Sequence, residues 1–316
     1  MYSERLNIFA VLIVSICWGL GGPLIWIASK TVSPESITAW RCLIAFFLLL
    51  PFYVKAGLLI LKQLDFKAAS LLASAGVTLV IHFYLFTVGI KFVSLITVLI
   101  LVSLEPVLIL LAGTIIFKEQ VSKLSILGIF ICLFGLILMG SLQLLQTINE
   151  ELLKFELIGN LYAIAAVLAY VVYYILNRAY KNYAQPGRYI KSIILQNLGI
   201  SSVIYMFSAI VALPLCLSFD KFDNTIIDIP TGNSLIAILA LGLFPTLIGH
   251  LISQLVSRSA HPIWISLMSP GEVLMGILIS YLFLNHIPKY YELVGGFVVI
   301  LGVFIVIYSE CFNRKN

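Results

Sequence analysis

A chain of 316 residues that is 61% hydrophobic and only 10% charged has too little polar surface for a water-soluble fold, where about 25% charged residues is usual. Its mean hydropathy of +1.10 marks a polytopic membrane protein, so the net charge of +5 is not a nucleic-acid signal and no nucleic-acid partner is expected. Five cysteines (Cys17, Cys42, Cys132, Cys216 and Cys311) are odd in number and scattered, which suits neither a disulfide framework nor a metal site. No metal and no cofactor is expected.

A membrane-crossing helix needs about 20 mainly apolar residues, at about 1.5 Å of rise each across a core near 30 Å. Ten segments qualify: 8–29, 36–54, 68–90, 93–117, 122–142, 157–176, 190–215, 234–257, 261–284 and 291–310. The first apolar run is too long for a signal peptide and lacks an A-x-A-like end, so it reads as a span. The longer connections are 55–67, 143–156, 177–189 and 216–233, and none holds a soluble domain.

Taken in order, the spans carry few polar residues. In span one Trp18 is followed by Gly19, Gly21, Gly22 and Pro23, an interruptible run that offers a ring to a cavity or a close-packing face. Arg41 lies one to two turns inside the outer end of span two, where it can neutralise a carboxylate, hold an anion, or snorkel to the headgroups. His82 in span three and His250 in span eight can relay protons, or can be neutral rings hydrogen-bonded across helices. Span four places Glu105 near its middle, followed by Pro106, which leaves the Val102 carbonyl without its helical partner. A central carboxylate costs about 2.5–3.5 kcal/mol to insert, and irregular backbone at that depth belongs inside protein or beside a water-filled cavity. Span six brings Tyr170, Tyr173 and Tyr174. Spans seven and eight add Gln196, Asn197 and Gln254, whose ordinary role is cross-helix bonding. Span nine holds Pro270 and Glu272.

An ungapped shift of 167 residues lays Glu105 on Glu272, Gly128 on Gly295 and Gly135 on Gly302, with His82 one position from His250. The shift covers five spans, an odd number, so the two halves, residues 1–142 and 157–316, are expected to face opposite ways, joined by an extracytoplasmic linker at 143–156. Glycines seven apart on one face read as close-packing surfaces. Of the 19 basic residues, thirteen fall on the side of the termini, five on the other, and Arg41 within a span, which puts both termini in the cytoplasm. Acidic loop residues such as Glu156, Asp220, Asp223 and Asp228 lean to the outer side.

Trp18-Gly19, Pro34 with Ile37-Thr38-Ala39-Trp40-Arg41, Ser103-Leu104-Glu105-Pro106-Val107, Phe117-Lys118-Glu119 and Gly128 form one set of motifs. Phe244-Pro245-Thr246-Leu247-Ile248-Gly249-His250, Glu272, Pro288 and Gly295-Gly296 form the second. Together they resemble the drug/metabolite transporter superfamily, in its EamA-type ten-helix branch, over nearly the whole chain. The resemblance implies an all-α fold of two inverted five-helix repeats, a central cavity, and alternating access for small metabolites, often exported. The sequence departs from the family at Glu272-Val273, where Glu-Pro is frequent, and at Asn285-His286, opposite Glu119.

The expected function is secondary transport of a small polar or amphipathic metabolite, such as an amino acid or a nucleotide-derived compound, in the cytoplasmic membrane. Glu105, Glu272, His82, His250, Arg41, Trp18 and Tyr170 are the expected substrate or ion site. Pro106, Gly19, Gly22 and Pro270 are the expected breaks or hinges. Two carboxyls sharing a buried site do not both ionise readily, so a proton is the natural coupling ion. A homodimer is allowed. The alternatives are an intramembrane enzyme using Glu and His as acid and base, and a passive channel or structural subunit. No Walker loop, H-E-x-x-H, C-x-x-C or G-x-S-x-G occurs in the sequence.

Overall fold

A computed structural model describes residues 4–118, 121–146, 150–185, 190–219, 229–259 and 268–313, and the regular structure in them is helical throughout. Glu119, Arg188, Asp220, Lys221, Asp223, Asp228, Arg314, Lys315 and the start of span nine, 261–267, lie outside the described residues. Among the described residues nine helices are long and apolar enough to cross a membrane, and each coincides with an expected span. Met268–Leu284 is a shorter apolar helix at the end of the remaining one.

Span one is two helices, α1 (Glu4–Gly19) and α2 (Gly21–Ala28). α3 (Pro34–Phe52) starts at the Ser33 cap with Pro34 in its first position, and continues through a π turn at Tyr53–Gly57 into α4 (Leu58–Lys62). α5 (Phe66–Phe92) is capped by Asp65, which accepts from the Ala68 N–H at 2.8 Å. Span four is broken, as Pro106 predicts, into α6 (Leu95–Val102) and α7 (Glu105–Phe117). α8 (Lys123–Gln146) and α9 (Glu150–Ala184) follow. Most of the expected linker, 143–156, therefore continues these two helices, and Glu156 is a buried helical residue rather than a loop acid. α10 (Ile193–Phe219) leads to α11 (Gly232–Leu241), a π-helical stretch at Gly242–Gly249, and α12 (His250–Ser259). α13 (Met268–Leu284) and α14 (Tyr290–Asn313) complete the chain.

The packing repeats itself at the 167-residue shift. α8 and α14 meet through glycines: a Cβ on Gly128 would lie 2.9 Å from the Gly302 carbonyl, and one on Gly135 would lie 3.1 Å from that of Gly295. The pairing is antiparallel, since Gly128 faces the later glycine and Gly135 the earlier. α3 lies on α10, α5 along α9 as α1 lies along α12, and α1 on α13 as α9 lies on α6 and α7. The helix ends agree as well. Lys118 and Asn285, 167 apart, both take the left-handed conformation (φ 54° and 56°) that closes α7 and α13. Asparagine adopts it cheaply, whereas lysine has no such ease.

Candidate functional site

The seven expected site residues all line one cavity of about 40 Å³. They arrive from seven helices: Trp18 from α1, Arg41 from α3, His82 from α5, Tyr170 from α9, His250 from α12, Glu105 from α7 and Glu272 from α13. Such a volume holds a few water molecules, each needing about 10–15 Å³ on this measure, and no metabolite.

Two prolines build the walls. Pro106 is the second residue of α7, and the carbonyl it releases, Val102, faces the Ser269 hydroxyl at 3.5 Å. Glu105 opens α7 at this break, 5% exposed. The second proline, Pro245, sits inside the π-helical stretch and lacks the N–H that would bond the Leu241 carbonyl. Thr246 supplies the missing donor: its hydroxyl donates to Leu241 O at 2.7 Å. The same oxygen accepts from Arg41 Nε at 3.0 Å, and the Thr246 carbonyl accepts from the Tyr205 hydroxyl at 2.5 Å.

Arg41 is thereby turned into the protein and does not snorkel; it is 5% exposed, with its guanidinium 3.6 Å from the centre of the Phe83 ring. It acts electrostatically on Glu272, which in turn acts on Glu105. His82 Nδ1 donates to the Ala166 carbonyl at 2.8 Å, which fixes the ring and leaves Nε2 as its second polar atom. Its ring centre is 5.1 Å from that of Tyr170, and His250 lies 5.6 Å from Trp18 and 6.1 Å from Tyr170. The buried Trp18 indole N–H has no protein acceptor. Gly249 makes room for that indole, since a Cβ there would lie 2.5 Å from Trp18 Nε1.

The expected hinges are closely packed. Gly19 ends α1 where the chain breaks before α2, and a Cβ there would lie 2.9 Å from the Gly276 nitrogen of α13. Gly22 lies against Leu95, and Pro270 is the third residue of α13. Residue-by-residue reading did not single out Phe83, Phe86 or Thr246. Pro245 with a hydroxyl next to it was the available signal for Thr246.

A second cavity of about 360 Å³ lies along the same helices, nearer the ends of α2 and α5. On α5 Phe86 lines the first cavity and Ile90 the second; on α6 Val102 lines the first and Ile96 the second, about 9 Å away along the helix. Glu292, missed in the sequence and 2% exposed, stands at its wall. It accepts from Ser94, from Thr97 at 2.7 Å and from the Lys289 N–H at 2.6 Å, so it joins the starts of α6 and α14. Glu156 beside it accepts from Gln143 at 2.8 Å and from Lys289 Nζ at 3.2 Å.

A multi-pass helical membrane protein that encloses acids, a cation and aromatic rings is the class this fold and site define. Residues 5–141 match the EamA-like transporter family. Over 306 residues, 95% of this chain and 93% of its relative, the sequence is 24% identical to the "Uncharacterized transporter YyaM" of Bacillus subtilis (strain 168). A solved crystal structure, 15% identical, matches 99% of this chain and 100% of its own with a TM-score of 0.65, a likeness of fold alone. These likenesses support a place in the drug/metabolite transporter superfamily, the EamA-like match lying within the first half of the chain.

Proposed function

We propose that the protein is a secondary active transporter that moves a small polar or amphipathic metabolite, such as an amino acid or a nucleotide-derived compound, by efflux or exchange. Ten spans form two inverted halves, residues 1–142 and 157–316, in the cytoplasmic membrane with both termini inside. One observation carries the reading: an acid from each half, Glu105 and Glu272, reaches the same buried cavity, together with Arg41. The antiparallel glycine faces, the matched left-handed helix ends and the paired packing at the 167-residue shift support the inverted halves. Alternating access between such halves works around a site near the midplane. Because the cavity holds only a few waters, admitting a solute requires the helices to part. The two acids share a proton, and its release and uptake couple to passage of the solute. Trp18 offers an indole donor, Tyr170 and the histidines an aromatic wall, and Arg41 a countercharge.

The test is uptake or efflux by the purified protein in proteoliposomes, with candidate solutes first chosen by the thermal stabilisation they give. Glu105→Gln and Glu272→Gln are expected to lose at least about tenfold in rate, what about 1.4 kcal/mol delivers, and to flatten the pH dependence. If both variants transport at the wild-type rate with the wild-type pH profile, the coupling role is wrong. Failure to accumulate any stabilising solute against a gradient would favour a channel.

A further inference from the structure

On the side of the cavity towards the start of α1, three helices of the second half bring buried polar side chains together. They are Tyr173 and Asn177 on α9, Asn197 and Ser201 on α10, and Gln254 on α12, all at most 7% exposed. α9 ends, α10 begins and α12 ends at this face, so the group occupies the stretch between cavity and surface. Tyr173 touches the cavity wall, its ring centre 5.6 Å from Tyr170 and 6.3 Å from His250. The Gln254 amide donates to the Tyr173 hydroxyl at 3.2 Å and accepts from the Ser201 hydroxyl at 3.3 Å. One turn beyond Tyr173 stands Asn177, and one turn before Ser201 stands Asn197. The chain from Tyr170 to Asn177 spans about 10 Å along α9.

Hydrogen bonding among themselves explains Tyr173, Gln254 and Ser201, and the Asn177 amide nitrogen joins them through the Tyr173 hydroxyl, but it explains neither Asn197 nor the Asn177 carbonyl oxygen. Both polar atoms of the Asn197 side chain and the Asn177 carbonyl oxygen are buried without any protein partner. An amide used as glue is bonded; one left unpaired costs free energy, and a leucine of similar volume would cost less. Buried amides with free donors and acceptors are the surroundings that ordered water requires.

We propose that Asn177 and Asn197, with Tyr173, Ser201 and Gln254, hold a file of water that carries protons between the face bearing the N-terminus and the paired acids. The inference rests on the proton-coupled reading above and assigns it a route. A hydronium at the surface passes its proton along the waters to a carboxylate of the Glu105–Glu272 pair and is left as water, and the carboxylate is restored when the site, open to the opposite face, gives that proton up there. The amides position water without titrating, and the Tyr173 hydroxyl, which accepts from the Gln254 amide, turns its own O–H to the neighbouring water and so orients the file. The acids are faced by Arg41 from α3, His82 from α5, Tyr170 from α9 and His250 from α12, and by each other. These groups set the proton affinity, whereas the water file sets how fast it is satisfied.

Asn177→Leu and Asn197→Leu separate the route from packing. Asn197→Leu is expected to fold with unchanged or raised thermal stability and Asn177→Leu to lose no more than its bond to Tyr173, and each should keep the stabilisation given by a transported solute. Transport should fall about tenfold or more, as for a lost positioned proton transfer, and its pH dependence should flatten. Asn→Ser at the same positions, which keeps a water-binding hydroxyl, should recover much of the rate. Leucine variants that transport as wild type with the same pH profile would overturn the route while leaving Glu105 and Glu272 in place. Where a leucine variant does not fold, Asn197→Cys decides, in a full chain with its native cysteines replaced. Reaction with a small membrane-impermeant thiol reagent from the N-terminal face supports a hydrated path, and inertness from both faces overturns it.

Discussion

Thr246 shows how one hydroxyl can join backbone repair to site construction. Pro245 removes a donor from its helix, Thr246 restores it to the Leu241 carbonyl, and the same oxygen orients Arg41. Thr246→Val keeps the shape and loses both bonds. It should destabilise the protein by about 1–3 kcal/mol, the cost of leaving buried polar groups unpaired, and should impair transport more than its stability loss explains. Thr246→Ser should restore both, read by thermal unfolding in detergent and by proteoliposome flux. If valine is as active as threonine, Arg41 owes its position to Phe83 and not to this hydroxyl. The position of Arg41 was legible in the sequence, but its direction was not. A long side chain near a span's end reaches headgroups or interior equally well, and an acceptor 205 residues away decides between them.

Helix interruptions were legible where a single residue forces them. Pro106 predicts the break between α6 and α7 and the released Val102 carbonyl. The π-helical stretch at Gly242–Gly249 was not, because a proline in a helix can be absorbed as a kink, a break or an extra residue per turn. The continuation of α8 and α9 through most of 143–156 was hidden by charged residues, which mark the edge of the bilayer and not the end of a helix. The glycine faces of α8 and α14 were legible as a two-turn spacing, and they can be tested inside one helix. At Gly128 a Cβ meets backbone at 2.9 Å, whereas at Gly140 it meets nothing within 4 Å. Gly128→Ala should therefore cost about 1–3 kcal/mol as α8 is pushed off α14. Gly140→Ala should be neutral or stabilising by up to about 1 kcal/mol, the propensity difference. Equal effects at the two sites in detergent unfolding would mean that the α8–α14 contact is not set by its glycines.

At the scale of the molecule, the candidate site could be read because the 167-residue shift ties Glu105 to Glu272. The clamp on the larger cavity could not, since Glu292 has no acidic counterpart at that shift and looks like an ordinary first-turn acid. Its three donors come from two helix starts nearly 200 residues apart, so it binds α6 to α14 where the two cavities would have to join. Lys289 strengthens the same corner. Burial alone would lower its pKa, but Tyr291 and Glu156 hold it above the usual lysine value, so its charge persists well into alkaline solution. Opening the central cavity towards this face must break the Ser94 and Thr97 bonds to Glu292. At about 0.5–1.5 kcal/mol for each lost bond, Glu292→Ala should raise the open population roughly tenfold. The readout is Ile25→Cys, at the wall of the central cavity, in a chain without its native cysteines. Its labelling by an impermeant reagent from the face opposite the N-terminus should quicken by that factor in Glu292→Ala, with little change from the N-terminal face. Equal quickening from both faces would mean that the substitution loosens the whole bundle. No change from either would mean that α6 and α14 move as one body and that the halves part elsewhere.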